Sequence, residues 1–247
     1  GIDLLFRTTK SERSIRAIRL IPVRQWPPPD GSAYGRAMAA PKPGGEERPP
    51  APLSAAPSAD DLPEGVRAYF RDQPSVVTGR PGLFLDRDGV VVEEVGYLHQ
   101  VEKLTIHAGA AALIRAANTA GAAVVIVTNQ SGIDRDLYTW DDYDVIDTEI
   151  LARLGSQDAF VDARIANGFH PRFTDPWGDT HEFWRKPGPG MLLHAIERLT
   201  LAPERSWMVG DMASDVQAAL AAGLAGAFHM KSVHGPEHRE RALALAS

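Results

Sequence analysis

The sequence predicts an α/β fold built on a central, mainly parallel β-sheet with helices on both faces. Short apolar runs bounded by Gly and Pro alternate with longer segments that repeat apolar residues at helical spacing. This alternation is typical of parallel sheets that are covered on both sides. In addition, Asp86, Thr128 and Asp211 directly follow three of the apolar runs, at the strand ends where such sheets bind ligands.

The first quarter of the chain differs in composition from the rest. Residues 1–63 contain 11 of the 19 prolines, which predicts a disordered N-terminal extension followed by one folded domain over residues 64–247. That domain holds 17 basic against 25 acidic residues. It is a poor candidate for binding nucleic acid, because nucleic-acid sites need clustered cations.

Targeting signals and cysteines are absent from the printed sequence. No apolar run reaches the roughly 18 residues that span a bilayer, and no signal peptide is evident. We therefore predict a cytoplasmic protein without a membrane partner, and we expect a monomer. The absence of cysteine excludes disulfides and thiolate metal sites.

The predicted elements begin after the extension. Residues 61–72 are predicted as a short helix and 83–85 as the first buried strand, which ends at Asp86. A helix over 108–120 ends at Gly121 and precedes a β-branched strand over 122–127. The remaining predictions are helices over 141–154, 190–199 and 213–222 and strands over 163–166, 206–209 and 225–229.

Two carboxylates follow the first predicted strand. Asp86 could attack phosphorus to form an aspartyl phosphate, and Asp88 could protonate the leaving oxygen and later deprotonate the attacking water. Gly89 would relieve the turn between strand and loop. Taken alone, this segment is explained equally well as a solvated turn or a fragment of a calcium loop.

Thr128 and the Arg185-Lys186 pair supply groups that bind phosphate. The Thr128 hydroxyl can bond phosphoryl oxygens, Lys186 can neutralise transferred charge, and Arg185 offers a planar donor fork. Taken singly, Thr128 fits an ordinary turn or a strand-end cap, and an Arg-Lys pair is usually surface charge.

Asp211 follows the fourth predicted strand, and Asp215 lies one helical turn later. Their carboxylate oxygens suit Mg²⁺, although a carboxylate there would also favour the start of the following helix through its dipole. Together with the other segments, they give a nucleophile, an acid, a hydroxyl, a cation and metal ligands. The sequence therefore predicts a phosphoryl-transfer site.

These segments resemble the haloacid dehalogenase (HAD) superfamily of phosphatases, in particular its heptose 1,7-bisphosphate 7-phosphatase and histidinol-phosphatase subfamily. The resemblance is carried by Phe84–Val90, Thr128–Ile133, Arg185–Met191 and Gly210–Asp215. It implies a Rossmann-like three-layer sandwich. It also implies Asp86 as nucleophile, Asp88 as acid/base, and Thr128 and Lys186 as groups that stabilise the phosphoryl group. Magnesium would be held by Asp86, the Asp88 main-chain carbonyl, Asp211 and, through water, Asp215.

The resemblance also implies the substrate and its contacts. The expected substrate is a small phosphorylated metabolite, D-glycero-D-manno-heptose 1,7-bisphosphate, cleaved at its 7-phosphate. The implied substrate contacts are Glu94, Val95, Gly96, Tyr97, Asn129, Gln130, Ser131 and Arg185. Only 57 residues separate Thr128 from Arg185, too few for a large cap domain, so a capless, open site is expected.

One departure from the subfamily concerns zinc. Relatives of this type often hold a structural zinc through three cysteines and a histidine before the Arg-Lys-Pro motif, whereas this chain has no cysteine. His170 and His181 lie in that loop at a spacing that matches no metal site, so no zinc is expected. We hypothesise that an aromatic cluster orders the loop instead: Phe169, Phe173, Trp177, Phe183 and Trp184.

Three alternatives remain open at this point. The same chemistry could act on histidinol phosphate or another sugar phosphate. A non-catalytic phosphate-binding or scaffold protein could keep the fold, although all the expected catalytic carboxylates are present. A phosphotransferase or mutase would have to exclude water from the aspartyl phosphate, which an open site does not favour.

Overall fold

The computed structural model of the protein describes residues 62–72 and 77–230, together with the backbone of residues 19–22. Most of the predicted N-terminal extension therefore lies outside the described residues, as do residues 231–247. Within the extension, Arg19–Pro22 forms a strand, β1, that pairs with the last strand of the sheet. The domain boundary at residue 63 stays a prediction.

The described chain contains seven strands, five α-helices and two short 3-10 helices at Val101–Lys103 and Pro203–Arg205. After β1, the strands are β2 (Val66–Phe70), β3 (Gly82–Leu85), β4 (Ala123–Asn129), β5 (Ala163–Asn167), β6 (Trp207–Gly210) and β7 (Gly226–His229). The helices are α1 (Ala110–Thr119), α2 (Trp140–Gly155), α3 (Asp179–Trp184), α4 (Gly190–Arg198) and α5 (Ala213–Ala221).

The strands form one mainly parallel sheet in the order β1-β7-β6-β3-β4-β5-β2. The five central strands, β7-β6-β3-β4-β5, are parallel to one another. The two edge strands, β1 and β2, run antiparallel. The predicted fold class is confirmed, because parallel strands need crossover connections and the helices supply them.

Helices cover both faces of the sheet. Along β4, Val125 packs on the face that Met191 of α4 covers, whereas Ile126 packs on the other face with Ile146 and Ile150 of α2. All of these side chains are buried. Successive side chains of a strand thus point to opposite faces of the sheet and pack into two apolar layers. A helix layer covers each face, which gives the three-layer sandwich.

The predicted helix over 61–72 is wrong, because residues Val66–Phe70 form strand β2. This strand pairs antiparallel with β5. Val66, Ala68 and Phe70 join one apolar cluster while Tyr69 joins another, which is the two-residue period of a strand. Pairing with the free edge of β5 favours the strand conformation for this segment. A short isolated helix would form too few hydrogen bonds to be more stable than this pairing.

The connections leave the carboxyl edge of the sheet open. All residues between β4 and Lys186 are described, and they form α2, the sheet strand β5, a loop and the short helix α3. None of them builds a separate cap domain, as predicted. In the described part of the chain, no helix is long and apolar enough to cross a bilayer.

Candidate active site

Asp86, Lys186 and Asp215 form an ion-paired centre at the carboxyl edge of the sheet. Asp86 follows β3, and its Oδ1 lies 2.9 Å from Lys186 Nζ. The same ammonium lies 2.6 Å from Asp215 Oδ1 in α5 and donates to the Val127 carbonyl oxygen at 2.9 Å. All three charged side chains are buried. The structure thus brings together three residues that lie up to 129 positions apart.

Burial sets the electrostatics of this centre. It raises the pKa of Asp86 to about 7, with Lys186 acting to lower that pKa and Asp215 adding to the rise. Burial alone would lower the pKa of Lys186, but Asp215 and Asp86 outweigh burial and raise it above its usual value. The ammonium therefore stays charged and holds two buried carboxylates side by side.

Asp211 completes a cluster of three carboxylates with Asp86 and Asp215. One oxygen of each lies within 4.8 Å of the others. Lys186 pairs with two of the three carboxylates, and an oxygen-only donor set of this kind fits a hard cation such as Mg²⁺. The predicted metal-binding side chains are thus together, and the Asp88 main-chain carbonyl stays a predicted ligand.

Two glycines allow these carboxylates to approach the backbone. Gly89 has a φ of +79°, and a Cβ added there would lie 2.3 Å from Asp211 Oδ2. A Cβ at Gly210 would lie 2.2 Å from the Asp215 Cβ. Any side chain at these two positions would displace a carboxylate of the cluster.

Asp88 sits beside the centre and is held by two donors. The buried Arg87 guanidinium pairs with it at 3.0 Å, and Gln130 Nε2 donates to its Oδ2 at 2.9 Å. The Asp88 side chain keeps 25% of its surface exposed. Its carboxylate is therefore held by two side chains and still partly exposed to solvent, which the predicted acid/base role requires.

Thr128 and Asn129 end strand β4 on the other side of the centre. Gln130 Nε2 donates to Thr128 Oγ1 at 2.7 Å. The Asn129 side chain accepts from the Lys186 backbone N–H at 3.1 Å and donates to the Lys186 carbonyl oxygen at 3.0 Å. Asn129 thus holds the backbone of Lys186 in place. Ser131 lies in the turn that follows β4.

Arg185 and Arg135 form a cationic group next to the centre. Arg185 donates to the Phe169 carbonyl oxygen at 2.7 Å, and its pKa is lowered first by burial and then by Arg135. Arg135 donates to the Tyr97 hydroxyl at 2.6 Å and to His170 Nε2 at 2.8 Å. The two guanidinium groups are therefore close enough to act on each other, and the Asp134 carboxylate opposes part of this effect at Arg185.

The loop over Glu94 to Tyr97 reaches this cationic group through Tyr97. The loop is turned by Glu94, whose Oε1 accepts from the Gly96 backbone N–H at 2.6 Å. Val95 and Tyr97 are exposed, so they are available to a ligand. Of this predicted substrate loop, the Tyr97 ring lies against the Arg135 guanidinium, with its centroid 5.6 Å from Arg135 Cζ.

His170 and His181 are separated into different surroundings. Burial, Arg135, Arg185 and Arg172 lower the pKa of His170, and positive neighbours of this kind disfavour a bound cation. His181 packs edge-on to Phe169 at 4.5 Å and stacks on Trp177 at 5.4 Å between ring centroids. Within the described residues, neither histidine belongs to a group that could hold a metal ion.

The hypothesised aromatic cluster of this loop forms without one of its five members. Phe169 and Trp184 are buried, and Phe183 lies edge-on to Trp184 with ring centroids 5.7 Å apart. Phe173 remains exposed and instead lies beneath Arg135 at 5.4 Å. Four of the five aromatic residues therefore support the loop, and the fifth contributes to the cationic group.

Arg135 and Tyr138 were not predicted from the sequence. Both lie in the turns after β4, where no periodic pattern marks them. Tyr138 donates from its hydroxyl to Gln130 Oε1 at 2.6 Å. The only sequence signal is their closeness to the predicted residues Asn129 to Ser131.

Comparison with known proteins gives consistent matches. A family model described as HAD-hydrolase-like matches residues 183–245. A D-glycero-beta-D-manno-heptose-1,7-bisphosphate 7-phosphatase of Rhodopseudomonas palustris is 40% identical over 150 residues, which cover 60% of this chain and 82% of that protein. The enzyme of the same name from Escherichia coli K12 is 36% identical over 149 residues, covering 58% and 75%.

Solved structures agree with these sequence matches. A protein of Mesorhizobium loti described as a HAD-like phosphatase superposes with a TM-score of 0.62 at 31% identity, over 74% of this chain and 93% of that chain. D,D-heptose 1,7-bisphosphate phosphatase from B. bronchiseptica, complexed with magnesium and phosphate, superposes with a TM-score of 0.52 at 30% identity. That match covers 58% of this chain and 77% of the other.

Proposed function

Because the chain belongs to the HAD family of phosphatases, we propose that it is a magnesium-dependent phosphoric monoester hydrolase whose substrate is D-glycero-D-manno-heptose 1,7-bisphosphate, cleaved at the 7-phosphate. The observation that carries the proposal is the buried centre in which Asp86 contacts Lys186 at 2.9 Å beside Asp211 and Asp215. This arrangement presents a carboxylate nucleophile next to a fixed cation at the open edge of the sheet.

The proposed reaction has two displacements at phosphorus. A carboxylate oxygen of Asp86 attacks the phosphorus, and the bond from phosphorus to the sugar oxygen breaks as Asp88 gives that oxygen a proton. Asp88 then takes a proton from water, and this water attacks the phosphorus and releases phosphate from Asp86. Lys186 and the Thr128 hydroxyl stabilise the phosphoryl oxygens in both steps.

Asp86, Asp211 and Asp215 are the side chains that would hold magnesium. When bound, the ion supplies positive charge to the phosphoryl oxygens. The protein's own cation, Lys186, lies between two of these carboxylates and limits their mutual repulsion. Zinc has no proposed role, and the aromatic packing around His181 supports the idea that this loop is ordered without a metal.

The cationic group favours a substrate with a second anionic end. Arg185 directly precedes Lys186, and Arg135 acts on Arg185 more strongly than the Asp134 carboxylate does, so two guanidinium groups are available to a second phosphate. Histidinol phosphate instead carries an ammonium group away from its phosphate, and two guanidinium groups would repel it. The same argument supports the heptose bisphosphate over the histidinol-phosphate alternative.

A substrate screen tests the proposed function. We expect the chelator-treated protein to be inactive, and magnesium to restore phosphate release from heptose 1,7-bisphosphate. We expect kcat/KM for this substrate to exceed that for histidinol phosphate by roughly 10²-fold or more, because the second phosphate meets the arginine pair only in the former. Phosphate release should be measured for these two substrates, fructose 1,6-bisphosphate and a set of nucleotides.

The screen also distinguishes the alternatives. Inactivity on every substrate in magnesium, together with measurable phosphate binding, would favour a non-catalytic binding protein. A preference for histidinol phosphate would keep the chemistry and overturn the substrate. Metal analysis of the purified protein belongs to the same experiment, because one tightly bound zinc per chain would refute the aromatic-packing hypothesis. The monomeric state and the cytoplasmic location stay predictions.

Gly89→Ala should weaken magnesium binding. The added methyl group would displace Asp211 and would also strain a backbone with positive φ. We expect the magnesium concentration for half-maximal activity to rise about 10- to 100-fold, as for other groups that support metal ligands. The measurement is a magnesium titration of phosphatase activity at saturating substrate.

Gly79→Ala is the matched control for this prediction. Gly79 has a similar φ of +74°, but nothing lies within 4 Å of its added Cβ. Gly79→Ala introduces a similar backbone strain, but its methyl group contacts no carboxylate. If the two variants gave the same magnesium curve, displacement of Asp211 would not be the cause.

A further inference from the structure

Gln130 links the predicted acid/base to the predicted phosphate-binding hydroxyl. Its side chain is buried, with 2% exposure. Its Nε2 donates to Asp88 Oδ2 at 2.9 Å and to Thr128 Oγ1 at 2.7 Å. One amide nitrogen therefore contacts both groups, whereas the sequence had suggested that Gln130 contacts the substrate.

The orientation of this amide decides what Asp88 and Thr128 can do. Asp88 Oδ2 accepts from the NH₂ side of the amide, and the oxygen side, which has no hydrogen to donate, would repel it. Thr128 Oγ1 also accepts from this NH₂ group, which leaves the hydroxyl hydrogen of Thr128 to be donated. A flipped amide would repel Asp88 and would turn the Thr128 hydroxyl towards Gln130 instead of a phosphoryl oxygen.

Tyr138 fixes the orientation from the other end. Its hydroxyl donates to Gln130 Oε1 at 2.6 Å. The Gly132 backbone N–H already bonds the same hydroxyl oxygen, which leaves the hydroxyl hydrogen for the oxygen side of the amide. The ring itself has little freedom, because it is 7% exposed and occupies the space next to Gly132, where a Cβ would lie 2.0 Å away.

We propose that Tyr138 is a positioning residue for the phosphatase reaction: through Gln130 it holds Asp88 as the acid/base and Thr128 as a hydrogen-bond donor to the phosphoryl group. This inference rests on the proposed function. Arg87 holds Asp88 through a separate ion pair, so loss of the tyrosine hydroxyl lowers activity without abolishing it.

Leaving-group dependence tests the role directly. Proton donation matters for a sugar alkoxide and hardly at all for p-nitrophenolate, which leaves without a proton. We expect Tyr138→Phe to lower kcat/KM about tenfold on heptose 1,7-bisphosphate but less than about threefold on p-nitrophenyl phosphate, for which only the contribution through Thr128 is lost. A purely structural defect would lower both by the same factor.

A double-mutant cycle tests the route through Gln130. Tyr138→Phe should have no further effect on kcat/KM once Gln130→Leu has removed the amide. Tyr69→Phe is the matched control, because it removes a tyrosine hydroxyl that bonds Asp144 at 2.9 Å outside the site, and it should retain the wild-type ratio of the two activities.

The activity of the wild-type protein shows whether a negative result overturns the proposed function or only the role of Tyr138. If the wild-type protein hydrolyses neither substrate, the proposed function and this inference both fail. If the wild-type protein is active and Tyr138→Phe keeps the wild-type ratio of activities, or if its effect adds to that of Gln130→Leu, only the positioning role is overturned. Circular dichroism and the thermal midpoint confirm that each variant is folded.

Discussion

Asp86→Asn should abolish phosphate release, lowering kcat by roughly 10⁴-fold or more, because an amide oxygen cannot form the aspartyl phosphate that the mechanism requires. The variant keeps the shape of the side chain. Asparagine can still accept from the Arg87 backbone N–H, which donates to Asp86 Oδ1 at 2.8 Å. We therefore expect the free energy of unfolding to change by less than about 2 kcal/mol. Steady-state phosphate release and urea unfolding measure the two quantities.

Covalent trapping makes this prediction sharper. Acid quenching of the wild-type protein with labelled substrate should retain label on the chain, and Asp86→Asn should retain none. Asp158→Asn is the matched control, because Asp158 is exposed after α2 and has a positive φ of 56°, which asparagine tolerates. More than about a tenth of wild-type activity in Asp86→Asn would refute the nucleophile assignment.

Lys186→Met should have the second largest effect and should change both stability and activity. The methionine leaves Asp86 and Asp215 buried without the cation that now lies 2.9 Å and 2.6 Å from them. Removing one partner of a buried ion pair typically costs about 3–5 kcal/mol of unfolding free energy. Loss of the positive charge should also lower kcat by about 10²- to 10³-fold.

Magnesium provides an internal check on this explanation. Because the lost stability comes from repulsion among carboxylates, saturating magnesium should recover part of it in Lys186→Met without restoring kcat. Lys103→Met is the control, since Lys103 is exposed and its replacement should leave both quantities near wild type. A Lys186→Met protein as stable as wild type without magnesium would show that the ammonium does not hold the carboxylates together.

Local patterns in the sequence predict most of the fold. The strand β4 and the helix α2 follow from β-branched runs and helical spacing, because these periods are properties of the local backbone. Strand β2 was missed for the opposite reason. Its hydrogen bonds go to β5, almost 100 residues away in sequence. The local sequence of β2 contains no information about the free edge of β5.

The sequence alone was enough to predict a phosphoryl-transfer site, because Asp86, Thr128 and Asp211 follow apolar runs and parallel strands bring their carboxyl ends to one edge. The contacts between individual groups are instead set by the folded structure. It placed Gln130 between Asp88 and Thr128, Tyr138 behind Gln130, and Arg135 beside Arg185. These contacts depend on where loops cross the sheet edge, and a hydrogen bond needs its two atoms within about 3 Å, a precision that residue spacing alone cannot specify.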